Sequence, residues 1–141
     1  MAAMGREGQD RVMSQLSSLW LPIAAGGALG ACARHGVALW LEGVRAWPVA
    51  TFAVNVAGSV LLGVAVVLLA GSADGTRTAP LAFTAIGFCG AFTTFSTFSL
   101  QTLELLQAGR LLAAGGYVLA SVLCCLVGCA VGVQATRTLI Q

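Results

Sequence analysis

The run Gly87-Phe88-Cys89-Gly90-Ala91-Phe92-Thr93-Thr94-Phe95-Ser96-Thr97-Phe98-Ser99 constrains this chain more than any other. It lies near the middle of an apolar segment reaching from about Leu81 to Leu106, and five hydroxyls (Thr93, Thr94, Ser96, Thr97, Ser99) crowd its second half. The 141 residues are 58% hydrophobic and 9% charged, with a mean hydropathy of +0.92. No soluble domain of this size can hide that much apolar surface, so the solvent is lipid. In hydrocarbon, a hydroxyl cluster is tolerated only where protein buries it or a wet cavity meets it. Gly87, Gly90 and the Thr/Ser run favour a local break in the helix. A helix broken at mid-membrane frees backbone carbonyls and amides to hold an ion. That combination points to transport.

Other function classes find little support. A net charge of +2, spread along the chain, is too small for a nucleic-acid surface. Cys32, Cys89, Cys124, Cys125 and Cys129 all lie in apolar runs, with neither CxxC nor Cys/His metal spacing, and read as small buried hydrophobes. No nucleophile–base pair marks an enzyme.

Residues 1–17 are polar and mixed in charge and read as a tail, followed by an all-α, four-helix membrane domain over 18–141. The expected helices cover about 19–41, 48–70, 81–107 and 111–135. The first could be mistaken for a targeting segment, because Ala31-Cys32-Ala33 resembles a small-residue cleavage site. Its apolar run continues past Cys32 to Leu41 and further spans follow, so it reads as retained. Trp20 and Trp40 mark its ends; their separation corresponds to about 30 Å of helix, the hydrocarbon thickness. Gly26/Gly30 and Gly27/Ala31 give small-residue spacing for close helix contact. Arg34, inside the Trp40 end, either snorkels to headgroups or makes an electropositive lining at an anion path. His35 reads as an interfacial polar residue.

In the second helix Thr51, Asn55 and Ser59 recur every four residues and share a face. An Asn at this depth needs a partner, either a neighbouring helix or a permeating species. In the third, Phe83 and Phe88 read as core or lipid-facing. Phe95 and Phe98 stand among hydroxyls, where the positive edge of an aromatic ring can favour an anion without trapping it. The short turn Ala108-Gly109-Arg110 makes the last two helices antiparallel neighbours. On the fourth, Tyr117, Ser121, Cys125 and Cys129 form a weakly polar face, and Gly115, Gly116, Gly128 and Gly132 offer close-contact positions. With four helices, Arg6, Arg11, Arg77 and Arg137 share one side against Arg45 and Arg110, a weak orientation bias.

These residues resemble the small four-helix fluoride channels of the Fluc or CrcB family. The likeness runs through Gly26-Gly27, Gly30-Ala31 and Arg34, then Thr51-Phe52, Asn55 and Gly58, and finally Gly87 to Gly90 leading into Thr93 to Ser99. It implies a fluoride-selective channel that passively exports fluoride across the cytoplasmic membrane. The implied assembly is an antiparallel, dual-topology homodimer in the lipid bilayer, with a structural sodium ion at its centre. By the same resemblance, the backbone carbonyls of Gly90 and Thr93 hold the sodium, and Phe95 and Phe98 edge the pathways. Asn55 is an amide donor, Ser96 and Thr97 are nearby hydroxyls, Tyr117 and Ser121 begin a hydroxyl track, and Arg34 stands near the vestibule. Two positions depart from the pattern. Cys125 falls where the track would continue, and Gln101 replaces an acidic residue that often follows the hydroxyl string.

The physics of fluoride agrees: a small, tightly hydrated anion needs its water replaced by donors in a narrow passage. The rival readings are a dual-topology drug/proton antiporter, which requires an intramembrane carboxylate absent from helices one and two, and a non-conducting assembly subunit.

Overall fold

A computed structural model describes residues 17–43, 47–69 and 78–141, and every regular element among these is helical. Helix α1 is Trp20–Trp40 and α2 is Val49–Leu69. The third span is composite: α3 (Thr78–Leu81), a π-helical segment (Ala82–Cys89), α4 (Gly90–Phe92) and α5 (Phe95–Gln107). Helix α6 is Leu111–Leu139, continuing past the expected end at 135. The expected tail falls outside the described residues except for Ser17.

Among the described residues three helices are long and apolar enough to cross a membrane: α2, the composite span Thr78–Gln107, and α6. Helix α1 matches α2 in length at 21 residues but is diluted by Gly, Ala, Arg34 and His35. Packing holds it in place. Its main neighbour is the π-helical segment, and glycines make the approach close. A Cβ at Gly26 would meet the Phe83 carbonyl and one at Gly30 the Phe88 carbonyl, while a Cβ at Gly87 would come within 2.6 Å of the Ile23 carbonyl.

The π winding gives this contact its register. Phe83 and Phe88 are five residues apart, a step that the i→i+5 turn brings to one face. On α1 their counterparts, Gly26 and Gly30, are four apart, one α-turn. The two windings differ so that successive turns can meet. Gly87 therefore serves close approach rather than a break, and Gly90 continues the helix as the first residue of α4. The break expected from these glycines and the Thr/Ser run falls within the run, at Thr93–Thr94, where both residues turn extended (φ −81°, ψ 160° and φ −152°, ψ 115°).

A second glycine seam joins α2 to α6. A Cβ at Gly63 would strike the Cys129 carbonyl, one at Gly132 the Val60 carbonyl, and one at Gly128 would crowd the Val60 side chain at 3.1 Å. A Cβ at Gly115 or Gly116, by contrast, would meet nothing within 4 Å among the described residues. Helix α5 ends in a Schellman turn: Gly109 takes φ +71°, its N–H donates to the Leu106 carbonyl, and Arg110 N–H donates to Leu105. Helix α6 thereby folds back, and Phe98, Leu105, Ala114 and Tyr117 form a buried cluster.

The cysteines follow the helix faces rather than one rule. Cys89 is buried, Cys125 and Cys129 are half-buried, and Cys32 and Cys124, expected inside, are exposed. In lipid a thiol is a small apolar group, so an outward face carries no penalty for it.

Neighbouring glycines on α1 test this packing. Gly26→Ala should lower thermal stability in detergent by about 1–3 kcal/mol through overpacking. Gly27→Ala, whose Cβ would sit 4.0 Å from the Gly87 carbonyl, should leave it unchanged. Equal melting of the two variants would refute the close approach.

Candidate functional site

The site grows from the broken ladder of the third span. Breaking a helix leaves carbonyls unpaired on one side and N–H groups on the other. Several of these groups find side-chain partners here. The Thr94 N–H donates to Asn55 Oδ1 at 2.7 Å, and Asn55 Nδ2 donates to the Thr94 carbonyl at 3.1 Å. One side-chain amide from α2 thus replaces the helical partner of the Thr94 N–H and adds a donor to the carbonyl that opens the ladder of α5. Ser59 Oγ in turn donates to the Asn55 carbonyl at 2.7 Å. The Ala91 carbonyl, which an unbroken helix would pair with Phe95, accepts from Arg34 Nε of α1 at 3.0 Å.

The second half of the span restarts with its own cap. Thr94 Oγ1 accepts from the Thr97 N–H at 3.2 Å and donates to Thr97 Oγ1 at 3.0 Å, with Ser96 Oγ 3.2 Å away. This is N-cap chemistry, with Thr94 as the capping residue. Thr93 Oγ1 folds back to the Cys89 carbonyl at 2.9 Å. Because Asn55 holds the Thr94 N–H, that amide is taken from the Gly90 carbonyl, its partner in a continuous helix.

Two cavities flank the break. The larger, about 340 Å³, is an open, mainly apolar groove bordered by Asn55, Gly90, Thr93, Phe95, Phe98 and Ser121, with Cys89 and Cys125. The smaller, about 290 Å³, is more polar and holds Arg34, Glu42, Thr51, Thr97 and Gln101. Thr94 borders both.

An aromatic chain runs beside them. Phe95 is 78% exposed and Phe98 is buried, their ring centroids 5.4 Å apart. Phe98 meets Tyr117 at 5.1 Å, and Tyr117 meets Trp47 edge-on at 5.2 Å. Tyr117 is fully buried and its hydroxyl donates to Gln101 Oε1 at 3.1 Å. One turn further along α6, Ser121 Oγ is buried with no hydrogen-bond partner among the described residues. That is unusual in this protein. Ser59, Thr84, Ser99, Thr102, Thr136 and Thr138 all return their hydroxyls to the carbonyl four residues back. The Ser121 hydroxyl remains available to the groove it borders.

Of the residues singled out in the sequence, Asn55, Phe95, Phe98 and Ser121 therefore meet at the groove, together with Gly90 and Thr93. Thr97 and Arg34 stand at the polar cavity. Arg34 does not snorkel; its Nε is held inward by Ala91. Tyr117 lies behind Phe98. Ser96 borders neither cavity and reaches the site only through the Thr94 hydroxyl. Sequence reading counted Thr94 among the central hydroxyls without giving it a role of its own, although its place three residues before Thr97 signals an N-cap. It also undervalued Gln101, which accepts from the Tyr117 hydroxyl.

Helical spans around a polar helix break define a multi-pass integral membrane protein with a site within the bilayer. Residues 21–133 match the family model described as CrcB-like protein, Camphor Resistance (CrcB). The chain belongs to this CrcB family. It is 44% identical over 125 residues, 86% of its length and 92% of the relative's, to the "Fluoride-specific ion channel FluC" of Saccharophagus degradans. It is 43% identical over 121 residues to the protein of the same name from Geobacter sulfurreducens, covering 84% of this chain and 97% of that one. With "Fluoride-specific ion channel FluC 2" of Rhodococcus jostii it is 45% identical over 102 residues, 72% of this chain and 84% of the relative.

Asn55→Ala removes a donor and an acceptor at once and should destabilise the fold by about 1–3 kcal/mol, the cost of stranding the Thr94 N–H. Asn55→Asp keeps only the acceptor for Thr94 N–H and should fall between. Unchanged thermal unfolding of Asn55→Ala would show that the pair does not hold the break.

Proposed function

We propose that this chain forms a fluoride-selective channel that passively exports fluoride across the cytoplasmic membrane. One observation carries the reading. At the helix break, the Phe95–Phe98 ring pair, the Asn55 amide and the unpartnered Ser121 hydroxyl face a single groove bordered by uncharged side chains. Fluoride must exchange its hydration for donors, and these groups supply them. Asn55 Nδ2 carries a second N–H beyond the one given to Thr94. The ring edges add positive potential without the fixed cation that would hold the ion too tightly. The relatives bear the name of fluoride-specific ion channels. A proton-coupled antiporter would want a carboxylate inside the bundle; Glu42 and Glu104 are both exposed.

The assembly proposed is an antiparallel homodimer in the lipid bilayer. The groove is open and Phe95 stands exposed in it, so a second copy would complete the walls. The weak arginine asymmetry suits insertion both ways round. Gly90 and Thr93 border the same groove, and the Gly90 carbonyl has lost Thr94 to Asn55. Carbonyl oxygens at a helix C-terminal end suit a hard monovalent cation such as sodium. Two such pairs, one from each copy, would hold it at the dimer centre. A sodium ion there would supply charge neutralisation between the two facing breaks. Within each copy, the fluoride path takes in Arg34, Asn55, Phe95, Ser96, Thr97, Phe98, Tyr117 and Ser121.

Purified protein in liposomes should release fluoride, read by electrode, and retain chloride. Phe95→Ile, which removes the ring edge but keeps bulk, should cut fluoride efflux by about tenfold or more, the rate equivalent of ~1.4 kcal/mol. Absence of fluoride efflux from folded protein would end the channel reading. The cation is tested separately. Exchanging sodium for N-methylglucamine should lower the melting temperature of the detergent-solubilised protein, and equal melting in both buffers would remove the sodium from the proposal.

A further inference from the structure

We infer that Arg34 is a positioning residue that locks the helix break, rather than a free positive charge that draws anions into the polar cavity. The inference deepens the channel reading in its transport arm, and its structural arm stands independently of it.

The Ala91 carbonyl is the group that needs a partner at the break. In an unbroken helix it would accept the Phe95 N–H, but Phe95 is the first residue of α5 and points away along the new helix. An unpaired carbonyl at mid-membrane is costly. The guanidinium meets that need in two ways. Its Nε donates at 3.0 Å, and its charge sits at the C-terminal end of α4, where the helix dipole favours a cation. Charge-assisted hydrogen bonds are the stronger class. Arg34 reaches this carbonyl from α1, which the glycine contacts at Gly26 and Gly30 seat directly against the π-helical segment.

Asn55 holds the other side of the same break from α2. The two clamps act on adjacent carbonyl-bearing stretches: Arg34 fixes Ala91, and Asn55 fixes Thr94. Between them lies Thr93, whose extended backbone turns the chain into the groove. Releasing Arg34 would free the end of α4 and with it the orientation of Gly90 and Thr93. Arg34 also borders the polar cavity, with Thr94 and Thr97, so an anion passing there meets a guanidinium that the backbone already holds in place.

The experiment compares the full-length reconstituted parent with Arg34→Lys and Arg34→Gln. Lysine keeps the charge but loses the planar Nε donor; glutamine keeps a donor and loses the charge. Fluoride efflux is measured against internal fluoride concentration, and hydrogen exchange is followed by mass spectrometry on peptides from the break and from α6. For a lock, Arg34→Lys lowers the maximal rate by about tenfold, the factor that a charged hydrogen bond commonly carries, while half-saturation stays put. Exchange then rises in the peptide covering Gly87 to Ser99 and is unchanged in α6. For an anion-drawing charge, Arg34→Lys behaves as the parent, Arg34→Gln raises the half-saturating concentration, and exchange at the break does not move; that pattern would overturn the inference. Faster exchange everywhere would also overturn it, since it marks a general loss of stability. If the parent itself releases no fluoride, the channel reading fails, and exchange at the break still decides the role of Arg34.

Discussion

Everything at the centre of this protein depends on the Thr94 peptide group having a partner that is not helical. A helix interrupted in hydrocarbon is unstable unless the freed donors and acceptors are satisfied from elsewhere. Asn55 does so with a pair of hydrogen bonds of the kind one β-strand gives another. Its own backbone is held in the rigid ladder of α2, so the amide is fixed in place. From that fixed point follow the cap on α5, the exposure of Phe95 and the turning of the Gly90 carbonyl away from the ladder.

The glycine seams explain how so small a chain can hold an interrupted helix. Hydrophobic burial does not drive helix association in lipid, because the tails are as apolar as the side chains. Close backbone contact does. Between α1 and the π-helical segment, and between α2 and α6, the carbonyls of one helix lie against glycines of the other. These seams bring Arg34 and Asn55 within hydrogen-bonding reach of the break. The larger side chains point outward: Leu112, Leu119 and Leu126 of α6 are all exposed.

How much of this was legible in the sequence depends on how local each signal is. The four-residue spacing of Thr51, Asn55 and Ser59 placed a polar face on α2, and the structure aims Asn55 of that face at the break. The hydroxyl string located the polar centre of the third span. The glycines and the Thr/Ser run both favour a break, and it falls in the run: glycine announces flexibility and close approach with the same letter, and only the position of α1 tells them apart. The π winding left no trace in periodicity, since one widened turn is too short to shift a pattern. The hydrogen bonds of Arg34 and Gln101 left no signal in the sequence for a different reason. Their partners, Ala91 and Tyr117, are distant in the chain, and no spacing rule connects them.

The π-helical segment has one further consequence. Such a turn is an α-helix holding one residue more than its length requires. Deleting any single residue between Phe83 and Phe88 would let the segment relax to ordinary winding. The turns downstream would keep their faces, but the five-residue step that sets the Phe83 and Phe88 carbonyls against Gly26 and Gly30 would be lost. Length polymorphism that loops absorb freely is therefore forbidden here, and the segment behaves as an insertion that the rest of the molecule has come to need.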